Sequence, residues 1–176
     1  MPFFTVGHSD RTIEVFLELL TVAGVESLVD VRKLPGSRSN PQFDEDVLVP
    51  SLGGAGIRYR HDLALGGLRG RSKTVPPEVN ALWRNRSFHN YADYAIGDEF
   101  ADAIARLRAE GSGRATVVMC SEAVWWRCHR RIIADHLLAC GEDVRHIMAE
   151  GRIDPATLTP GAVLHPDGQV TYPSPD

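Results

Sequence analysis

RATVVMCSEAVWWRCHRRIIADHLLACGEDVRHIM, residues 114–148, decides the class of this chain. RATVVMC is an unbroken, β-branched run that reads as a buried strand. A helix is predicted from about Trp125 to Ala139, and EDVRHIM reads as the following strand. Strand, helix and strand in succession imply a parallel crossover, and so an α/β domain rather than an all-β or all-α one. The same alternation extends upstream. PFFTVGHS predicts a short strand ending at Gly7, and TIEVFLELLTVAG a helix capped by Thr12 and stopped by Gly24. ESLVDVR and GIRYRHD read as strands, while SFHNYADYAIG and DEFADAIARLRAEG read as two helices, the second striped by Phe100, Ile104 and Leu107. In DEDVLVPSLGG, Pro50 argues against an undisturbed helix. LGGLRGRSKTVPPE shows little sign of regular structure and has the composition of a lid or binding segment. The tail, residues 151–176, is expected to pack on the domain through a small hairpin around Pro166-Asp167-Gly168.

The 176 residues fit one domain with a sizeable core, and 43% hydrophobic with 24% charged residues is the balance of a soluble globular protein. No apolar run is long enough to span a membrane. MPFFTVGHSD lacks a basic region followed by a long apolar stretch, so no secretory signal is expected. Three cysteines do not make a disulfide framework, which points to a cytoplasmic protein with reduced thiols. Net charge is −4, which excludes a surface that attracts polyanions everywhere. The bases are nevertheless clustered and almost all arginine, the planar, bidentate partner of phosphate and carboxylate. Only Lys33 and Lys73 are lysines, and a GC-rich genome accounts for much of that bias but not for the clusters around residues 32–38, 69–73, 84–86 and 127–131.

Three predicted strands end in polar triplets: Gly7-His8-Ser9, Asp30-Val31-Arg32 and Cys120-Ser121-Glu122. In open α/β sheets ligands bind beyond the carboxyl ends of the strands, so parallel neighbours would bring these triplets to one edge. Glu122, just past a strand end, is the better acid–base candidate. Asp30, following three apolar residues, needs a cationic partner, and Arg32 is the nearest. Ser9 reads first as a local capping group for the following helix, and His8 as a donor or base. His129 opens the buried stripe of the last helix, where a helix N-terminus and Arg127 or Arg130 favour an anion. A structural role for His129, capping a strand carbonyl, is equally consistent with the pattern.

Cys120 is a possible nucleophile, since a thiol at a strand end facing a helix N-terminus and arginines has a lowered pKa. The layout is similar to rhodanese sulfurtransferases and cysteine phosphatases. It departs from them in having six residues between Cys120 and Arg127, no glycine in the loop, and Glu122 within it. Cys120 and Cys128 are spaced wrongly for zinc, so no metal site is expected; a redox pair is possible. No cofactor is implied.

TVGHS (5–9), DVR (30–32), PGSR (35–38), Phe43, YRH (59–61), LGG (65–67), MCSE (119–122) and CHR (128–130) occur in this order. The ordered set resembles the bacterial and archaeal family known as domain of unknown function 488, over about Thr5–Ile147. That resemblance implies an α/β fold of Rossmann-like type and a polar site built from these motifs, and it supplies no reaction.

Three functions are compatible with the sequence. The first is an enzyme acting on a phosphate-bearing substrate, a nucleotide or nucleic-acid end. Ser9, Arg32, Ser37, Arg38 and Arg130 would hold the anion, the loop 66–73 would close over it, and Glu122, Asp30, His8 and His129 would handle protons. The second is a non-catalytic nucleotide- or nucleic-acid-binding module that stacks bases on Tyr59, Trp83, Tyr91 and Tyr94. The third is a cysteine enzyme of sulfurtransferase or phosphatase type using Cys120.

Overall fold

The computed structural model describes residues 1–175. Strands β1 (Phe3–Gly7), β2 (Ser27–Asp30), β3 (Arg58–His61), β4 (Thr116–Cys120) and β5 (Val144–Ala149) pair in parallel, and β6 (Arg152–Pro155) adds an antiparallel edge. The order is β3-β2-β4-β1-β5-β6. Helices α1 (Ile13–Val22), α2 (Glu45–Gly54), α3 (Arg86–Tyr94), α4 (Asp98–Gly111) and α5 (Arg130–Ala139) connect the strands, and β7 (Val163–Leu164) with β8 (Val170–Thr171) forms a separate hairpin. The chain is thus α/β, with a mostly parallel sheet and a small C-terminal antiparallel pair. Among the described residues no helix is long and apolar enough to cross a membrane.

Both faces of the sheet are covered, which is why its central strands are buried at every position rather than at alternate ones. Phe4, Val6, Leu28, Val117 and Met119 pack with Phe16, Leu19 and Leu20 of α1 and Leu48 and Leu52 of α2. Phe3, Val29, Val118 and Val144 face the opposite way, onto α3, α4 and α5. Connections that step toward β3 therefore run over one face and those that step back toward β5 over the other, the segregation that right-handed crossovers require. The direction of travel reverses between β2, which leads to β3, and its neighbour β4, which leads to β5.

Several expectations hold at the level of single residues. Thr12 caps α1 by accepting from the Val15 N–H, and Gly24 follows the helix with φ +74°. Three differ. Helix α2 runs through Pro50; burying Leu48 and Leu52 on either side outweighs the one backbone bond that proline removes. The last helix begins at Arg130 rather than Trp125, because Trp125–Arg127 forms a 3₁₀ turn and Cys128 is extended, with φ −126° and ψ 148°. The tail contributes β6 as well as the hairpin.

Candidate active site

β2, β4 and β1 are neighbours, so the three polar triplets do meet at the carboxyl edge of the sheet. Gly7 pairs with Cys120 and Asp30 with Met119. The ladder continues past the strands, with the His8 N–H donating to the Cys120 carbonyl and the Ser9 N–H to that of Ser121. Gly7 is obligatory here, since a Cβ would fall on the Glu122 carbonyl. The β4–α5 loop thus lies directly on the end of β1.

Where the direction of travel reverses, between β2 and β4, a cavity of about 480 Å³ opens. Open α/β sheets bind ligands at this position. Arg32, Ser37, Cys120, Glu122 and His129 line it, joined by Cys128, Arg127 and Lys33, with Phe88 and Tyr91 of α3 as the apolar wall. Leu34 and Leu68 stand at its lip, 77% and 74% exposed.

Asp30 lies behind this wall. It is fully buried and accepts from the Arg32 backbone N–H, from Arg32 Nε at 3.0 Å and Nη2 at 2.8 Å, and from the Tyr59 hydroxyl at 2.7 Å. With its lone pairs so engaged, Asp30 holds the guanidinium rather than exchanging protons. His8 sits on the other side of Arg32, Nε2 3.4 Å from Nη1, stacked on Phe43 at 4.3 Å. Burial pulls the His8 pKa down, so it is a neutral ring at physiological pH.

The thiols form the centre of the site. Cys120 and Cys128 are both buried, with sulfurs 2.7 Å apart. Their environments differ. Burial and the neighbouring Cys128 push the Cys120 thiol well up. Burial opposes ionisation of Cys128 too, but a hydrogen bond from Cys120, the His129 ring and Arg130 together outweigh it and hold this thiol well below its usual range. His129 Nδ1 is 3.6 Å from the sulfur and the Arg130 backbone N–H donates to it at 3.4 Å. Cys128 therefore stands just ahead of the α5 N-terminus, where helix dipole and orphan N–H favour an anion.

Arg130 supplies a second reason for charge on that sulfur. Its side chain is 1% exposed, Nη2 donates to the Glu122 carbonyl at 2.8 Å, and Nε has no partner among the described residues. None of the ion pairs among those residues includes it. An uncompensated buried guanidinium costs several kcal/mol, and its charge favours the thiolate form of the nearby Cys128.

His129 is held from three sides. Its Nε2 is 3.2 Å from the Val31 carbonyl, the Tyr91 ring lies 4.9 Å away, and Gly67 backs it so closely that a Cβ there would come within 2.9 Å of Nδ1. The loop 121–127 is anchored by Trp125, stacked on His146 at 4.5 Å and 4°.

Of the sequence candidates, Arg32, Ser37, Cys120, Glu122 and His129 share the cavity, while Asp30, His8 and Arg130 stand immediately behind it. Ser9 and Arg38 do not line it. Ser9 turns away at φ +51° and its hydroxyl donates to Asp10, and Arg38 is exposed on the loop beyond. Cys128, Tyr91 and Gly67 are the residues that spacing did not single out for the site. The stacking aromatics are occupied: the Tyr59 hydroxyl binds Asp30 and Glu45, Tyr91 and Tyr94 donate to the Leu65 and Ala64 carbonyls, and Trp83 stacks on Phe88.

The family model described as Domain of unknown function DUF488 matches residues 12–137, a span that holds the strand-end motifs of β2 and β4 and the Cys-His-Arg of α5. No curated protein and no solved structure matches the chain. With the larger part of its length matched, and both walls of the cavity inside that span, the chain belongs to the DUF488 family.

Proposed function

We propose that this protein is a cysteine-dependent enzyme acting on a phosphate-bearing substrate at the carboxyl edge of its sheet, with Cys128 as nucleophile. The observation that carries this reading is the thiol pair, 2.7 Å apart, whose Cys128 member has the N–H and imidazole contacts that Cys120 lacks, while the Arg130 charge acts on both. Arg32, oriented by Asp30, and Arg127 and Lys33 at the mouth hold the anionic part of the substrate. Cys128 Sγ attacks the electrophilic atom and forms one bond to it. The bond to the leaving group breaks, and that group departs with the electron pair and takes a proton from solvent at the cavity mouth, where Glu122 stands. Cys120 keeps its proton through this step and in the resting state donates a hydrogen bond to Cys128 Sγ. A mostly parallel sheet covered by helices on both faces supports a doubly wound, Rossmann-like reading of residues 1–176 as one domain, with β4 inserted between β2 and β1 as a departure from the Rossmann strand order.

The sulfur–sulfur contact favours one variant of this chemistry, sulfur transfer. If the group taken up is a sulfane sulfur, Cys128 carries a persulfide. Attack of Cys120 on Cys128 Sγ, with the Cys120 proton passing to the departing sulfur, then expels hydrogen sulfide and leaves a Cys120–Cys128 disulfide, which balances in atoms and electrons.

Iodoacetamide labelling across pH, read by peptide mass spectrometry, tests the assignment. Cys128 is expected to label first, at pH below the ordinary thiol range, and inorganic phosphate is expected to slow it. Labelling led by Cys120 or Cys140, or no protection by phosphate, defeats the reading. Incubation with thiosulfate, with a gain of one sulfur atom on Cys128, separates sulfur transfer from transfer of a phosphoryl group from p-nitrophenyl phosphate.

A further inference from the structure

A second, larger concavity of about 860 Å³ lies beside the thiol cavity. Arg71, Lys73, Arg84, Arg86 and His89 line it. The first four are exposed, and none of their side chains has a carboxylate or hydrogen-bond partner among the described residues. Many of the other surface arginines are paired. Arg60 pairs with Asp62 and Glu110, Arg106 with Asp62, Arg108 with Glu142, Arg145 with Asp143 and Arg152 with Asp154. Of the exposed bases without such a partner on a chain of net charge −4, Arg71, Lys73, Arg84 and Arg86 line this groove and Lys33 and Arg127 line the thiol cavity, while Arg38 and Arg58 lie outside both. The one acidic side chain in it, Asp93, is already engaged by Asn80 at 2.8 Å and His89 at 3.5 Å.

The groove and the cavity share their walls. Arg86 and His89 of α3 face the groove, while Ser87, Phe88 and Tyr91 of the same helix line the cavity. The loop 66–73 divides likewise, Gly67 and Leu68 on the cavity and Arg71 and Lys73 on the groove. Leu68 holds φ +57°, a strained conformation for a branched side chain, and stands 74% exposed at the boundary. A ligand leaving the groove over the first turn of α3 enters the cavity past Leu68 and Phe88.

We propose that the groove binds the phosphate backbone of single-stranded nucleic acid, and that such a strand is the substrate class of the thiol site; this rests on the reading given above. Several unpaired cations lining one concavity match a chain of phosphates better than a single one. Three of the four are arginines, suited to bidentate phosphate contacts. A flexible strand fits the space, whereas a duplex cannot place a nucleotide beside sulfurs that are 3% and 6% exposed without first releasing it from its stack. The groove has no exposed large apolar side chain with which to enter a lipid surface.

The test is fluorescence anisotropy of a labelled single-stranded oligothymidylate over a series of salt concentrations. The wild type is expected to bind at low salt, with log K falling against log salt at a slope of about −3 if four phosphates are engaged. Arg84→Glu/Arg86→Glu and Arg71→Ala/Lys73→Ala are each expected to weaken binding about tenfold or more and to flatten that slope, with melting temperatures unchanged. No binding by the wild type at low salt, or variants that bind as it does, overturns the proposal. Tighter binding of phosphoserine peptides or phosphatidylserine vesicles than of the oligonucleotide overturns it as well. The assay reads no thiol chemistry, so a failure here leaves the Cys128 labelling result standing, and the converse holds.

Discussion

At the scale of single residues the reactivity of Cys128 depends on where His129 is held, and Gly67 is the lever on that position. An alanine there would bring a methyl group within 2.9 Å of Nδ1, while the Val31 carbonyl and the Tyr91 ring block retreat. Gly67→Ala is therefore expected to displace the imidazole from the sulfur. The pH midpoint of Cys128 alkylation should move up toward that of an ordinary thiol, with little change in overall fold by circular dichroism. An unshifted midpoint would show that the Arg130 N–H and guanidinium suffice without His129. The sequence carried part of this site. Cys120, Glu122, Arg32 and His129 were legible because position at a strand end or helix start already implies the sheet edge. Cys128 was not, because its activation depends on a 3₁₀ turn ending one residue before it, and a uniform helix from Trp125 hides that break. Ser9 and Arg38 failed for a related reason: adjacency along the chain does not specify where a loop side chain points.

Among the elements, α3 has the most at stake for function, because its two sides wall the cavity and the groove. Only nine residues long, it owes its start to Asn85, whose side chain accepts from the Ser87 and Phe88 N–H groups. Asn85→Ala is expected to cost about 1 kcal/mol. That corresponds to a fall in melting temperature of about 2–4 °C for a chain of this size, most of which Asn85→Ser should restore. Thermal unfolding followed by circular dichroism reads both, and equal losses for the two variants would mean that packing of Phe88 and Tyr91 sets the helix start without the cap. Strong periodicity made the elements readable: α1, α4 and β4 fell where apolar spacing and caps put them. β6 was not readable, since Arg-Ile-Asp-Pro has neither alternation nor β-branched density and pairs only because β5 offers an edge. Pro50 misled in the opposite direction, as a local penalty that two fully buried leucines override.

For the molecule as a whole, burial of histidines between sheet and helices ties stability to pH. His136 lies on the buried face of α5 against Phe100 at 4.8 Å, and His146 beside Thr5 and Trp125; burial pulls each down to about 4. His8 is shifted in the same direction. A ring with a folded pKa below its unfolded value near 6.5 takes up protons more readily in the unfolded chain. Its stabilising effect is complete above that unfolded value and is lost as pH falls toward 4. Asp135, raised by burial, acts in the opposite sense from the ordinary carboxylate value upward, so the histidine contribution is best isolated by difference. His136→Phe removes one titrating ring. A cavity of about 220 Å³ beside His136 gives the larger side chain room, and no partner of the unbonded Nε2 is lost. Denaturant unfolding from pH 7 to 4 should show wild-type stability falling through this window. The variant should fall less steeply, by as much as about 1.4 kcal/mol per pH unit. Parallel curves for the two proteins would mean that His136 takes up its proton in the folded state without penalty, and that acid sensitivity lies with His8 and His146 at the sheet edge.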